Sequence, residues 1–225
     1  MRNIGLHSFL FSFVFLVSCG QPENEASSVD VIFNGSLTDF NDIPGSDSER
    51  LVKSIGMMGA ETGLCTVTHI GDGFVLTAGH CVRTDRCEPD YQVTWGRTAR
   101  RPSGILKSRC TEIVERRWDD EVDYAIYKVF PAPDFSLDVK RDQRPSMGAN
   151  IFILSHPRGT TLKFSGLCTI DDYGFGLRFT YQCDTEGGSS GASVLNAKGQ
   201  IVGIHNSGSR GLGYNLGTWV YDVLQ

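Results

Sequence analysis

The 225-residue chain has no excess of positive charge and no cysteine pair at zinc-ribbon spacing. It has no convincing helical periodicity outside a last turn at Val220 to Leu224, and no internal repeat. Its 21 Lys and Arg stand against 26 Asp and Glu, a formal charge of −5. It therefore lacks the basic excess that supplies most of the affinity for nucleic acid, and nucleic acid is not an expected partner. Cys81, Cys87 and Cys110 lie near His80, but none of them forms the short C-x-x-C type pair that marks a zinc site, so neither metal nor cofactor is expected. Apolar residues make up 40% of the chain, charged residues 21%, and there are 26 glycines. This ordinary globular balance excludes collagen-like and wholly disordered readings and predicts one compact, enzyme-sized unit.

The N-terminus reads as a secretion signal over residues 1–18. Arg2 gives a positive start, and Ile4 to Val17 is apolar but short for a mature membrane helix. The stretch ends in Leu16-Val17-Ser18-Cys19-Gly20. That resembles the bacterial lipobox, which implies cleavage before Cys19, acylation of its thiol, and attachment of the mature protein to a membrane surface through several acyl chains. Gly20 after the cysteine is similar to outer-membrane sorting signals. The alternative is an ordinary signal peptide cut nearby, with Cys19 left as an odd thiol and the protein secreted. Residues 19–47 are polar and acidic and read as a tether, although Val29 to Phe33 could add an early strand. Export suits the six cysteines other than Cys19, an even number in a chain leaving the reducing cytoplasm, so disulfides are expected.

From residue 48 onward the sequence breaks into short β-type runs separated by Gly, Pro, Asn and Asp. These are 51–58, 63–70, 74–78, 91–95, 123–130, 150–154, 166–170, 177–183, 192–195, 200–204 and 214–219. The fold is expected to be mostly β. Such a chain is long enough to bury around 70% of its unfolded surface, and two small barrels packed together fit its size.

Three pieces carry chemistry. Phe74 to Ala78 is an apolar strand that stops at Gly79 and presents His80 beside Cys81. A bridge from Cys65, on the preceding strand, to Cys81 would pin the backbone next to the imidazole, as a general base requires. Gly187-Gly188-Ser189-Ser190-Gly191 lets the chain turn sharply, exposes a hydroxyl and leaves backbone N–H groups uncovered. A serine–histidine pair also needs a carboxylate to orient the ring. Among Asp119, Asp120, Glu121 and Asp123, only Asp123 opens an apolar strand, sharing a face with Ala125, Tyr127 and Val129. An acid entering a buried face needs a partner, and His80 is the natural one. The other three read as a solvated turn.

Taken together, Thr77-Ala78-Gly79-His80-Cys81, Asp123-Tyr124-Ala125-Ile126 and Gly188-Ser189-Ser190-Gly191 resemble, in order, the three signatures of chymotrypsin-fold, trypsin-like serine proteases. The resemblance covers nearly all of 48–225 and includes Ser155 to Gly159 and Ile201 to His205. It implies two packed six-stranded antiparallel β-barrels, at about 48–130 and 146–225, with the active site between them. It further implies a serine endopeptidase working on protein or peptide substrates, expected as a monomer. Ser190 would be the nucleophile, His80 the base and Asp123 its partner, with the N–H groups of Gly188 and Ser190 forming the oxyanion hole. Gly188 would be glycine because a side chain would crowd that pocket. Beside the Cys65–Cys81 pair, Cys87 with Cys110 and Cys168 with Cys183 are the natural remaining bridges, among the fifteen connectivities six cysteines allow.

Two residues depart from the digestive members. Ser189 stands where those enzymes have the aspartate that pairs with a new N-terminus on zymogen activation, so that switch is not expected, and Ser193 replaces the usual proline. Substrate choice divides. Thr185 and His205 match positions that bind glutamate in bacterial glutamyl endopeptidases, whereas Asp184 matches the acid that receives Arg or Lys in trypsin-type enzymes. The reading adopted is cleavage after Glu. Cleavage after Arg or Lys, and a catalytically inert protease-fold binding module, are its alternatives. Arg97, Arg100, Arg101, Arg109, Arg116 and Arg117 read as solvated hairpin loops, Trp95, Trp118 and Trp219 as packing groups, and His69 and His156 as structural.

Overall fold

The computed structural model describes residues 37–42, 48–59, 65–174, 176–209 and 211–224. The signal segment, Cys19 and Val29 to Phe33 lie outside them. The first strand described, β1 (Thr38–Asp39), precedes a short helix, α1 (Ser48–Ser54). Six strands then build the first barrel: β2 (Ile55–Met58), β3 (Cys65–Gly71), β4 (Phe74–Thr77), β5 (Val93–Trp95), β6 (Leu106–Trp118) and β7 (Asp123–Phe130). They close antiparallel in the order β2-β3-β4-β7-β6-β5.

The second half comprises β8 (Asn150–Ser155), β9 (Lys163–Phe164), β10 (Cys168–Asp172), β11 (Arg178–Tyr181), β12 (Ser193–Asn196), β13 (Ile201–Ser209) and β14 (Tyr214–Trp219). It ends in the single turn α2 (Val220–Val223). Pairing of β12 with β8 closes a second six-stranded barrel, β8-β10-β11-β14-β13-β12, from which β9 and β1 extend. The expected fold of two antiparallel six-stranded barrels is thus the observed one.

One apolar cluster fills barrel one with Val67, Val75, Trp95 and Tyr127 and continues across the junction to Leu195, Ile201, Ile204 and Val220. A second fills barrel two, where Phe179 stacks on Trp219 with ring centroids 4.1 Å apart. Each such side chain contributes about 1.5–3 kcal/mol by leaving water, so the shared cluster makes the barrel junction a core rather than a hinge.

Several expectations are corrected. The run at 51–58 is helix through Ser54 and strand only afterwards. Thr38–Asp39, inside the stretch read as tether, pairs with Lys163 and Phe164, so folded chain begins before residue 48. Arg109, Arg116 and Arg117 lie not on loops but on the thirteen-residue β6. Trp118 is not a packing group: it is 60% exposed, with its ring 6.2 Å from that of His80.

Candidate active site

His80 sits in a 3-10 turn, Gly79–Cys81, that follows β4 at the barrel junction. Asp123 opens β7, and the alternation of that strand buries Asp123, Ala125, Tyr127 and Val129 on one face as the sequence implies. Its carboxylate accepts two hydrogen bonds from one residue: the His80 backbone N–H at 3.0 Å and the ring Nδ1–H at 2.7 Å. That pairing puts the proton on Nδ1 and leaves Nε2 as the basic nitrogen. Behind it, Asn206 Nδ2 donates to Asp123 O at 2.7 Å, and Thr218 Oγ1 accepts from Asp123 N at 3.1 Å while donating to Asn206 Oδ1 at 2.7 Å.

Ser190 lies on the loop between β11 and β12. Its Oγ donates to Asn206 O at 3.3 Å, so Asn206 touches the hydroxyl with its backbone and the Asp123 segment with its side chain. Among the described residues no hydrogen bond joins Ser190 to His80, and such bonds are often long in a free enzyme and tighten on substrate binding. Gly191 keeps the loop close to the His80 strand. At φ +81, a Cβ there would collide with Thr77 Oγ1 and lie 2.5 Å from Thr66 O.

The peptides around Ser190 are held by their carbonyls. Arg158 N donates to Gly187 O at 2.5 Å, and Ala192 N donates to Ser189 O at 3.0 Å. Since the N–H of a trans peptide points opposite its C=O, Gly188 N–H and Ser190 N–H are turned away from the segments holding them. Gly188 has φ +91, and a Cβ would lie 2.8 Å from His156 O and 2.9 Å from Arg158 N. The pressure for glycine thus comes from the 156–159 turn, not from the pocket itself.

Asp184, Thr185 and His205 are all buried. Thr185 Oγ1 donates to Asn215 Oδ1 at 2.9 Å, Asn215 Nδ2 donates to Cys183 O at 2.7 Å, and Tyr181 Oη is hydrogen-bonded to His205 Nδ1 at 2.5 Å. Ser189 is buried and hydrogen-bonded to Ser155 Oγ at 3.0 Å, an uncharged anchor where an activation aspartate would stand. All three expected disulfides are present: Cys65–Cys81, Cys87–Cys110 and Cys168–Cys183. The first lies against His80, and its sulfurs are bonded to each other rather than offered as thiolates.

Asn206, Thr218, Asn215, Tyr181 and Thr66 escaped the sequence reading. Asn206 alone had a signal, as the residue directly after the Ile201 to His205 strand. His156 is buried in the turn beside Gly188, where its ring nitrogen Nδ1 meets Thr160 O at 3.0 Å. Burial, helped by the Arg97 guanidinium, lowers its pKa to about 4.

Residues 62–204 match the family described as the trypsin-like peptidase domain. No curated protein sequence matches the chain significantly. Among solved structures, a Glu endopeptidase in complex with MPD is similar at 19% identity and TM-score 0.63, covering 88% of this chain and 94% of that one. The MamO protease domain from Magnetospirillum magneticum is similar at 14% identity and TM-score 0.62, covering 78% and 96%. A serine endoprotease from Yersinia pestis is similar at 17% identity and TM-score 0.61, covering 78% and 61%. These likenesses carry the fold, and the family match spans most of the chain. The chain belongs to the trypsin-like peptidase family of serine endopeptidases.

Proposed function

We propose that the protein hydrolyses peptide bonds through a Ser190–His80–Asp123 triad. The observation that carries this reading is the Asp123 carboxylate, buried and bonded to both N–H groups of His80, with Asn206 linking the Asp123 segment to the Ser190 hydroxyl. Ser190 Oγ attacks the scissile carbonyl as His80 Nε2 takes its proton, and the imidazolium formed is stabilised by Asp123 and then protonates the leaving amine. Gly188 N–H and Ser190 N–H receive the oxyanion, where loss of one donor typically costs about 2.7–4 kcal/mol of transition-state stabilisation.

The pocket reading is selectivity for glutamate on the acyl side of the cleaved bond. His205 supplies an imidazole suited to a carboxylate, with Tyr181 Oη on its Nδ1, and the Thr185 hydroxyl, which donates to Asn215 Oδ1 in the free protein, turns its proton to the carboxylate when substrate binds. The similarity to a Glu endopeptidase agrees with it. At the other end of the chain, Cys19 carries lipid and residues after it tether the protease domain to the cell envelope.

One preparation tests these readings. A fluorophosphonate should label the wild-type protein at Ser190, and Ser190→Ala should fold, escape labelling and lose turnover; turnover retained in that variant refutes the triad. An unlabelled wild type would mark an inert binding module. On a peptide panel cleavage is expected after Glu, and cleavage only after Arg or Lys would transfer specificity to Asp184. The intact mass of the mature chain should show an acylated Cys19.

A further inference from the structure

Thr66 is a barrel-one residue whose backbone N–H and hydroxyl both bond to the loop that carries Ser190. It follows Cys65 on β3 and is buried. Its backbone N–H donates to Ser190 O at 2.8 Å and its carbonyl accepts from Thr77 Oγ1 at 3.0 Å. The hydroxyl does something different. It donates to Gly188 O at 2.8 Å and accepts the His156 backbone N–H at 2.9 Å, so one side chain joins the nucleophile loop to the 156–159 turn across the barrel junction.

The peptide it grips lies between the two that carry the oxyanion donors. The N–H of that same Gly188–Ser189 peptide donates to Glu186 O at 2.9 Å, which pins the plane at both ends. Turning the plane would change ψ of Gly188 and φ of Ser189, and so re-aim the N–H groups on either side. Two consecutive glycines, Gly187 and Gly188, give the backbone unusual freedom to turn in this way. The partner turn is steadied in its own right, for the Arg97 guanidinium donates to Gly159 O and Leu162 N donates to Arg97 O at 2.9 Å.

We infer that Thr66 is a positioning residue for the oxyanion hole: its hydroxyl, bridging Gly188 O and His156 N, holds the Gly188–Ser189 peptide so that the flanking N–H groups meet the developing negative charge. The inference rests on the proposed triad.

The test compares Thr66→Val, which keeps the shape and removes the hydroxyl, with Thr66→Ser, which keeps the hydroxyl. In Thr66→Val, kcat should fall about tenfold to a hundredfold with KM nearly unchanged, the result of misaimed groups rather than lost substrate contact. Affinity for a peptide boronate, whose tetrahedral adduct places an oxygen in the hole, should fall by a comparable factor. Thr66→Ser should recover most of both losses. If Thr66→Val does not fold, Thr66→Ala is read against Thr66→Ser in the same way. Wild-type kcat in the Val variant, unchanged boronate affinity, or a Ser variant as impaired as Val overturns the inference. A wild type that no fluorophosphonate labels removes the triad and this inference together. A labelled wild type with an equally active Val variant removes only the role of Thr66.

Discussion

Asn206 shows what a single buried amide can organise. Its side chain is bonded at both ends, Nδ2 to Asp123 O and Oδ1 to the Thr218 hydroxyl, and its carbonyl receives Ser190 Oγ. Replacement by the similarly sized Leu would leave two buried polar groups each one partner short, at about 1–3 kcal/mol apiece. Urea unfolding of Asn206→Leu should show a loss of that order together with reduced kcat, and unchanged stability would contradict the network. In the sequence its one mark is its place directly after Ile201 to His205, which says nothing of this network. His80, Asp123 and Ser190 were legible because each sits in a local pattern, a strand ending in small residues, an acid on an apolar face, a glycine-flanked hydroxyl. Asn206, Thr218 and Thr66 gain their meaning from partners up to 122 residues away. Thr66 in particular looks like any strand threonine until barrel two is folded against it.

Strands with a clean period of two were read almost to the residue, β7 and β14 among them, but β6 was missed entirely. Its less exposed positions run Leu106, Ser108, Cys110, Ile113 and Arg116, because two register shifts change the step from two to three. Helix α1 failed for the opposite reason. Two turns built on Leu51 and Val52, closed by a Glu49–Lys53 ion pair, are too short to display a helical period. At this scale the disulfides separate stability from catalysis. Cys65–Cys81 ties β3 to the turn bearing His80 and closes a loop of 16 residues, for which chain entropy gives about 3 kcal/mol. Cys87–Cys110 closes a similar loop of 23 residues that ends on β6, beyond the residues of the proposed triad. Paired Cys→Ala replacements at either bridge should lower the unfolding free energy comparably, whereas only loss of Cys65–Cys81 should also depress kcat by freeing the His80 backbone. Equal kcat in the two variants would remove the bridge from the positioning of the imidazole.

Across the whole molecule, the junction between barrels carries both the site and a pH liability. Barrel one reaches over through Thr66, Arg97 and Asp123, and barrel two answers with the 156–160 turn, Asn206 and Thr218. His156 is buried within that junction, with its Nε2 unpartnered among the described residues and a guanidinium nearby, and its pKa is lowered to about 4 from an ordinary 6.5, mainly by burial. His69 is shifted in the same direction, again mainly by burial, with its ring bonded to Phe135 O and Gly73 N. Between about pH 6.5 and 4 the unfolded chain therefore binds more protons than the folded one, so folding stability falls as the pH is lowered through that window. For His156 the contribution is about 3 kcal/mol, full above pH 6.5 and lost below pH 4. Asp119 and Asp142, whose pKa values are held below 3.8 chiefly by a backbone N–H and by Lys140 respectively, lose their contribution only at lower pH, whereas Asp171, raised above 3.8 mainly by burial, takes its proton more readily in the folded state and opposes the fall near the acid end of the window. Urea midpoints measured from pH 7.5 down to 4 should fall steadily, and His156→Gln, which cannot take the proton, should flatten most of the slope. A slope of the same steepness in His156→Gln would show that protons enter elsewhere.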